Sequence, residues 1–177
     1  MHLKNPVDRL KAAVRDVADF PKPGVGFKDI TPALADGQLF HDCIAWLAGR
    51  HKAGSVDAVA GIDARGFILA GAVAHRLGVG FVPIRKKGKL PWKTECVSYE
   101  LEYGTAEIEI HRDALQKGRN VLVVDDVLAT GGTALAACKL VERIGGNVVG
   151  VDFLMGLSFL HGLQKLVSYN TYVLAEY

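Results

Sequence analysis

The stretch VLVVDDVLATGGTA at residues 121–134 constrains this chain more than any other. Its first part is a continuous apolar run, as in strands buried on both faces, and such strands need helices above and below a parallel sheet. Ala129, Thr130, Gly131, Gly132 and Thr133 then form a turn of small residues before a helical pattern over Thr133 to Ile144. A strand, a small-residue turn and a helix in that order expose successive backbone N–H groups at a helix amino terminus. Unpaired donors and the helix dipole favour a phosphate there. Asp125 and Asp126 stand at the carboxyl end of the strand, the edge at which open α/β sheets bind ligands. Adjacent anions do not help to hold a phosphate. They suit a cis-diol, because ionised carboxylates accept strong charge-assisted hydrogen bonds from hydroxyls. Pair and turn together measure out a ribose 5-phosphate; the competing reading is a plain strand–turn–helix connection whose acids face solvent.

The rest of the chain follows the same rhythm. Leu10, Val14 and Val17 fit one face of a leading helix that ends before Pro21, Pro23, Gly24 and Gly26, and a second helical pattern runs through Phe40, Ile44 and Leu47. Val56 to Gly61, Gly80 to Ile84, Asn120 to Val124 and Asn147 to Leu154 read as buried strands, with a helix over Phe67 to Leu77. The expected fold is α/β: a single domain over 1–177, with a mostly parallel central sheet flanked by helices. Between Arg85 and Arg112 the rhythm breaks into a basic loop, then two alternating segments, Val97 to Leu101 and Ala106 to Ile110, which suggest a hairpin-like excursion.

Composition narrows the function classes. The 21 Lys and Arg nearly balance 19 Asp and Glu, and a net charge of +2 gives no general attraction for nucleic acid. Cys43, Cys96 and Cys138 are odd in number and far apart, which fits reduced thiols in cytoplasm rather than a disulfide framework or a metal site. No apolar run approaches the ~20 residues that span a bilayer. The expectation is a cytoplasmic protein with no nucleic-acid or membrane partner.

With its apolar run, paired acids and threonine–glycine–glycine–threonine loop, the chain resembles the type I phosphoribosyltransferases, whose signature binds phosphoribosyl pyrophosphate (PRPP). The turn Gly61-Ile62-Asp63-Ala64-Arg65-Gly66-Phe67 resembles that family's pyrophosphate loop. The resemblance implies that Asp63, Ala64 and Arg65 contact pyrophosphate, Arg65 through its planar donor fork, and that the Asp63–Ala64 peptide is cis. Read alone, Arg65 equally fits a helix-start arginine paired with a nearby acid. RKKGKLP at residues 85–91 reads alone as a solvated loop. Its place after a strand implies the family's mobile catalytic loop, spanning roughly Arg85 to Tyr103, with Arg85, Lys86 and Lys89 on pyrophosphate and some contacts crossing a homodimer interface.

FPKPGVGFKDITP at residues 20–32 and SYELEYGTAEIEI at residues 98–110 carry a closer resemblance, over nearly the whole chain, to the adenine phosphoribosyltransferases. That likeness implies a small base-binding hood drawn from about residues 1–35 and the C-terminal segment. Phe27 stacks on adenine, backbone groups near Gly26 and Lys28 read the base edge, and Leu157 packs the opposite face; Phe27 as simple core packing is the alternative. Glu102 manages proton transfer at the base and Tyr103 shapes the closed loop. Gly26, Lys28 and Gly156 depart from the residues common in relatives, and backbone recognition tolerates the first two. The implied reaction is purine salvage: PRPP and adenine give AMP and pyrophosphate, with Mg²⁺ held mainly through PRPP and no protein ligand to it assigned. Rivals are transfer to xanthine, hypoxanthine or guanine, and a non-catalytic PRPP-sensing regulator.

Overall fold

The computed structural model describes residues 6–100 and 104–177. Its centre is a seven-stranded sheet. In chain order the strands are β3 (Ala58–Ile62), β4 (Gly80–Lys86), β5 (Thr94–Glu100), β6 (Thr105–His111), β7 (Asn120–Leu128), β8 (Asn147–Gly156) and β9 (Thr171–Glu176); β1 (Arg15–Val17) and β2 (Phe27–Asp29) form a separate antiparallel pair. The spatial order is β5-β6-β4-β3-β7-β8-β9, with β4, β3, β7, β8 and β9 parallel and β5 and β6 antiparallel. The chain runs from β3 outward to β4, then returns to place β7 on the other side of β3. That reversal opens a crevice between the carboxyl ends of β3 and β7.

The helices follow from what the strands must bury. All five residues of β3 are buried, as are Val121 to Val124 of β7. Alternate side chains therefore need cover on both faces. α3 (Gly37–Gly49) and α4 (Arg65–Leu77) supply one cover, packing Leu47, Leu69 and Val73 with Val59, Leu122 and Val124. α5 (Gly132–Arg143) supplies the other, packing Ala137, Leu140 and Val141 with Ala60, Val121 and Val123. Asp36 caps α3, accepting the Leu39 N–H at 2.9 Å, and Gly78 closes α4 at φ +70°. No helix among the described residues is long and apolar enough to cross a membrane.

Four expectations need correction. The leading helix α1 (Val7–Ala13) stops before Val14, which is extended, and Val17 pairs with Phe27 in the small sheet instead of lying on a helical face. The segments expected as an excursion are part of the main sheet, because β6 pairs with β4 and buries Ile108 and Ile110. Within the expected mobile loop from Arg85 to Tyr103, Arg85 and Lys86 belong to β4 and Thr94–Glu100 is β5, paired to β6 along its whole length. β7 does not end at Val124 but continues through both acids to Leu128, paired with β8. β9 and the short α2 (Thr31–Ala35) were not anticipated, being too short and mixed in composition to show a period.

One buried polar contact ties helix to sheet: His51, just beyond α3, meets Asp152 of β8 at 2.8 Å, with Asp152 only 1% exposed. Asp152→Ala strands that histidine and is expected to lower the unfolding free energy by about 2–4 kcal/mol. Asp152→Asn, which keeps an acceptor, should recover most of the loss; urea denaturation of both variants checks this.

Candidate active site

The crevice between β3 and β7 opens into a cleft of about 440 Å³. Its floor is Asp125 and Asp126 of β7, one wall is Asp63, Ala64 and Arg65 at the start of α4, and Ala129 and Thr133 lie at its end. Beside it a smaller hollow of about 80 Å³ is lined by Ala129, Thr130, Gly131, Gly132 and Thr133, with Asp125 shared between the two. The structure thus brings the acids and the small-residue turn together around two neighbouring hollows that share Asp125, Val127, Ala129 and Thr133.

Gly131 stands at φ +77° and caps the amino end of α5, a conformation that side chains rarely adopt. A side chain there would also strike the carbonyl oxygen of Gly162, which lies in the second of two short 3-10 helices, Ser158–Leu160 and Gly162–Leu166. Gly162 in turn abuts the carbonyl oxygen of Ala129. The turn is thus backed by backbone rather than side chains, and its N–H groups at the amino end of α5 border the small hollow. That arrangement can hold a phosphate.

A main-chain hydrogen bond ties Asp125 to its neighbour. Asp125 Oδ1 accepts the Asp126 N–H at 2.9 Å. Gly66 makes room for it, since a Cβ at Gly66 would lie 2.5 Å from that same oxygen. Burial first, then the neighbouring Asp126 charge, pushes the Asp125 carboxyl well above its ordinary pKa. Burial also raises Asp126, against the opposing pull of the Arg65 charge. Asp126 is 5% exposed, and its Oδ2 lies 2.7 Å from Arg65 Nε; the N–H is not aimed at it, so this buried oxygen has charge contact but no aligned hydrogen bond. Hydroxyl donors are what such a pair lacks.

The pyrophosphate side is more tied down than a loop of free cations. The Asp63–Ala64 peptide is cis. Asp63 Oδ2 accepts Arg85 Nε at 2.9 Å, and Arg85 Nη1 reaches the Lys89 carbonyl at 3.0 Å. Glu109, 4% exposed, accepts the backbone N–H groups of Lys89 and Leu90, both at 2.9 Å. Burial alone would raise the Glu109 carboxyl, but bonds from Leu90, Gly88 and Lys89 together leave it below its ordinary value. Arg85 therefore reaches the cleft wall through Asp63, whereas Lys86 and Lys89 do not line the cleft. Lys87 is paired with Glu107 at 2.8 Å. Glu109 was not singled out from sequence, since a buried acid in an alternating strand carries no distinguishing signal, and Gly66 was read only as part of the turn around Arg65, without its contact to Asp125.

On the base side, Gly26, Phe27 and Lys28 face Leu157 and Met155 across the same cleft, with Tyr99 of β5 beside them. Phe27 packs edge-on against Phe20, with ring centroids 5.0 Å apart. The Lys28 ammonium is engaged elsewhere, with Asp16 and over the Tyr177 ring at 4.5 Å, leaving its backbone for the cleft. The Arg65 guanidinium carbon lies over the Phe27 ring, 4.8 Å from its centroid. Glu102 and Tyr103 lie outside the described residues. Tyr99 was missed because it reads as an ordinary strand residue, and Met155 because it lies just past the expected end of its strand at Leu154, whereas β8 runs on to Gly156.

The model of the phosphoribosyl transferase domain matches residues 33–157. Over 175 residues the chain is 50% identical to the adenine phosphoribosyltransferase of Methylacidiphilum infernorum, covering 99% of this chain and 98% of that protein. It is similar to the crystal structure of adenine phosphoribosyltransferase from Rhodothermus marinus, with a TM-score of 0.93, 48% identity and coverage of 97% and 98% of the two chains. The Saccharomyces cerevisiae adenine phosphoribosyltransferase, crystallised with adenine and an imino-altritol bisphosphate, superposes with a TM-score of 0.87 at 38% identity, covering 96% and 98%.

Two expectations follow from the geometry. Gly66→Ala drives a methyl group into Asp125 Oδ1 while suiting a helix, so catalytic efficiency should fall at least about tenfold with the fold retained, read from steady-state kinetics and circular dichroism. Because the folded-state pKa of Asp125 is raised, ionising it costs stability as pH climbs from its ordinary 3.8 through the raised value. Asp125→Asn should therefore melt above the wild type at neutral pH, with the gap closing toward pH ~4, in thermal scans across pH.

Proposed function

This chain belongs to the adenine phosphoribosyltransferases, and from that premise we propose how its own residues transfer the 5-phosphoribosyl group of PRPP to adenine, giving AMP and pyrophosphate. The observation that carries the reading is the Asp125–Asp126 pair opening beside the anion hollow at the amino end of α5. In this reading the 5-phosphate sits on the N–H groups of Ala129 to Thr133, with the Thr130 and Thr133 hydroxyls as further donors. The 2′ and 3′ hydroxyls donate to Asp125 and Asp126, supplying the donors that this desolvated pair lacks. The anomeric carbon then lies between the base side of the cleft and the pyrophosphate side.

Pyrophosphate departs ahead of attack by adenine N9, so positive charge develops on the ribose while negative charge develops on the leaving group. Asp125 and Asp126 add negative potential near the first; Arg65 and the backbone at Asp63 and Ala64 stabilise the second, while Arg85 neutralises the Asp63 carboxylate beside it. Lys86 and Lys89 are assigned to pyrophosphate only with movement of the β4–β5 turn, since neither borders the cleft. The base lies between Phe27 and Leu157, with its edge read by backbone at Gly26 and Lys28. Glu102 is assigned proton transfer at the base and Tyr103 the shaping of the site. Tyr99 borders the cleft, and the Glu100 carbonyl lies 3.4 Å from where a Cβ at Gly132 would stand, which supports that assignment. No side chain acts as a covalent nucleophile.

Among the described residues no cluster of three or more His, Cys, Asp or Glu could hold a metal ion. Mg²⁺ usually keeps substrate phosphates among its ligands, which fits an ion carried on PRPP oxygens beside the acids that hold the diol, with no protein ligand to it assigned. Bound there, it would neutralise charge on the leaving pyrophosphate. The turn between β4 and β5 is the element assigned to close over the cleft and exclude water, since the β5–β6 hairpin itself is held in the sheet by β4 and buries Val97, Ile108 and Ile110. The small β1–β2 sheet and α1, which bring Lys28 and Lys11 over the Tyr177 ring, form the base-binding hood of one 1–177 domain. The enzyme acts in the cytoplasm as a homodimer.

Incubation with PRPP, Mg²⁺ and each purine in turn should yield AMP from adenine; a preference for guanine, hypoxanthine or xanthine would overturn the base assignment. The double variant Asp125→Asn, Asp126→Asn should lose at least about 2 kcal/mol of transition-state stabilisation in kcat/KM. Unchanged turnover would remove the diol assignment.

A further inference from the structure

Arg65 lies across the place assigned to the base. Its guanidinium carbon is 4.8 Å from the centroid of the Phe27 ring, and its Nε is 2.7 Å from Asp126 Oδ2. Both partners are ligand contacts in the proposed function, one for adenine and one for ribose. A guanidinium and a purine are flat groups that stack on the same aromatic face, and they exclude one another there. We propose that Arg65 is a removable plug of the base slot, covering Phe27 in the free protein and withdrawn when an anionic pyrophosphate group binds beside the start of α4.

The proposal rests on the assignment of Phe27 to the base. Arg65 is the first residue of α4 and its side chain is 35% exposed, so it can swing about the helix end without disturbing the core. Its tether to Asp126 is a charge contact without an aligned hydrogen bond, and it yields when ribose hydroxyls take that oxygen. A diphosphate offers the planar fork a bidentate acceptor that the ring face cannot match. One side chain thereby links two subsites: occupancy of the anion subsite frees the base subsite. By thermodynamic reciprocity the base strengthens anion binding by the same factor.

Calorimetric titration of adenine into the full chain, with and without inorganic pyrophosphate, tests this, with AMP formation by the wild type measured alongside. Pyrophosphate should tighten adenine binding to the wild type at least about threefold. Arg65→Ala should bind adenine alone at least about threefold tighter than the wild type and should no longer respond to pyrophosphate. Arg65→Lys keeps the charge for Asp126 but lacks a stacking plane, and should follow the alanine variant for adenine alone. It carries the test if thermal melting shows Arg65→Ala to be unfolded. Equal adenine affinity in the wild type and the variants, in a protein that makes AMP, overturns the plug and leaves the enzyme function standing. Unaltered adenine affinity on adding Phe27→Ala to the Arg65 variant instead overturns the base assignment, and the plug with it.

Discussion

Two neighbouring carboxylates taken out of water at the end of β7 are the interaction on which this site depends. Burial favours a proton over charge on both Asp125 and Asp126, and at Asp125 the neighbouring Asp126 charge adds to it. The free protein contains that cost with main-chain hydrogen bonds, the Arg65 charge and a gap left at Gly66. A sugar diol answers the same need with aligned donors. The site is therefore destabilised where the substrate supplies what is missing, a common arrangement in active sites.

The surroundings follow from keeping those acids and the anion hollow in register. The strand order places β3 beside β7, so the Asp63–Arg65 turn and the acids face one crevice. Gly131 and Gly162 let the phosphate turn rest directly on the backbone of the short helices beyond β8. Glu109 fixes the β4–β5 turn by accepting the Lys89 and Leu90 N–H groups, and Arg85, which reaches the Lys89 carbonyl of that turn, also meets Asp63. The basic segment is thus a folded turn with internal partners, and its cations need movement before they can meet a leaving group.

Much of this was legible in the chain because the relevant signals are local. Apolar runs of a few residues mark β3, β7 and β8, and the small-residue turn marks the start of α5, since buried parallel strands and helix amino ends each impose a composition. Less legible were the features whose cause lies elsewhere in space. Val17 looks helical by spacing, yet pairs with Phe27 across a chain reversal. Ile108 and Ile110 suggested a detached hairpin, yet α5 gives them a core to join. Tyr99, Met155, Gly66 and Glu109 have ordinary neighbours in sequence and acquire roles only through what faces them.

By itself, then, the amino-acid order determined the layered α/β class, the strand–turn–helix that holds an anion and the presence of two acids beside it, because periodicity, turn chemistry and local charge act within a few residues. Tertiary structure alone decided that the hairpin completes the sheet, that Arg85 is held by Asp63, and that Arg65 rests on Phe27 and Asp126. Those outcomes depend on which distant side chains come within a few ångströms, and contact across the fold is set by packing rather than by any spacing along the chain.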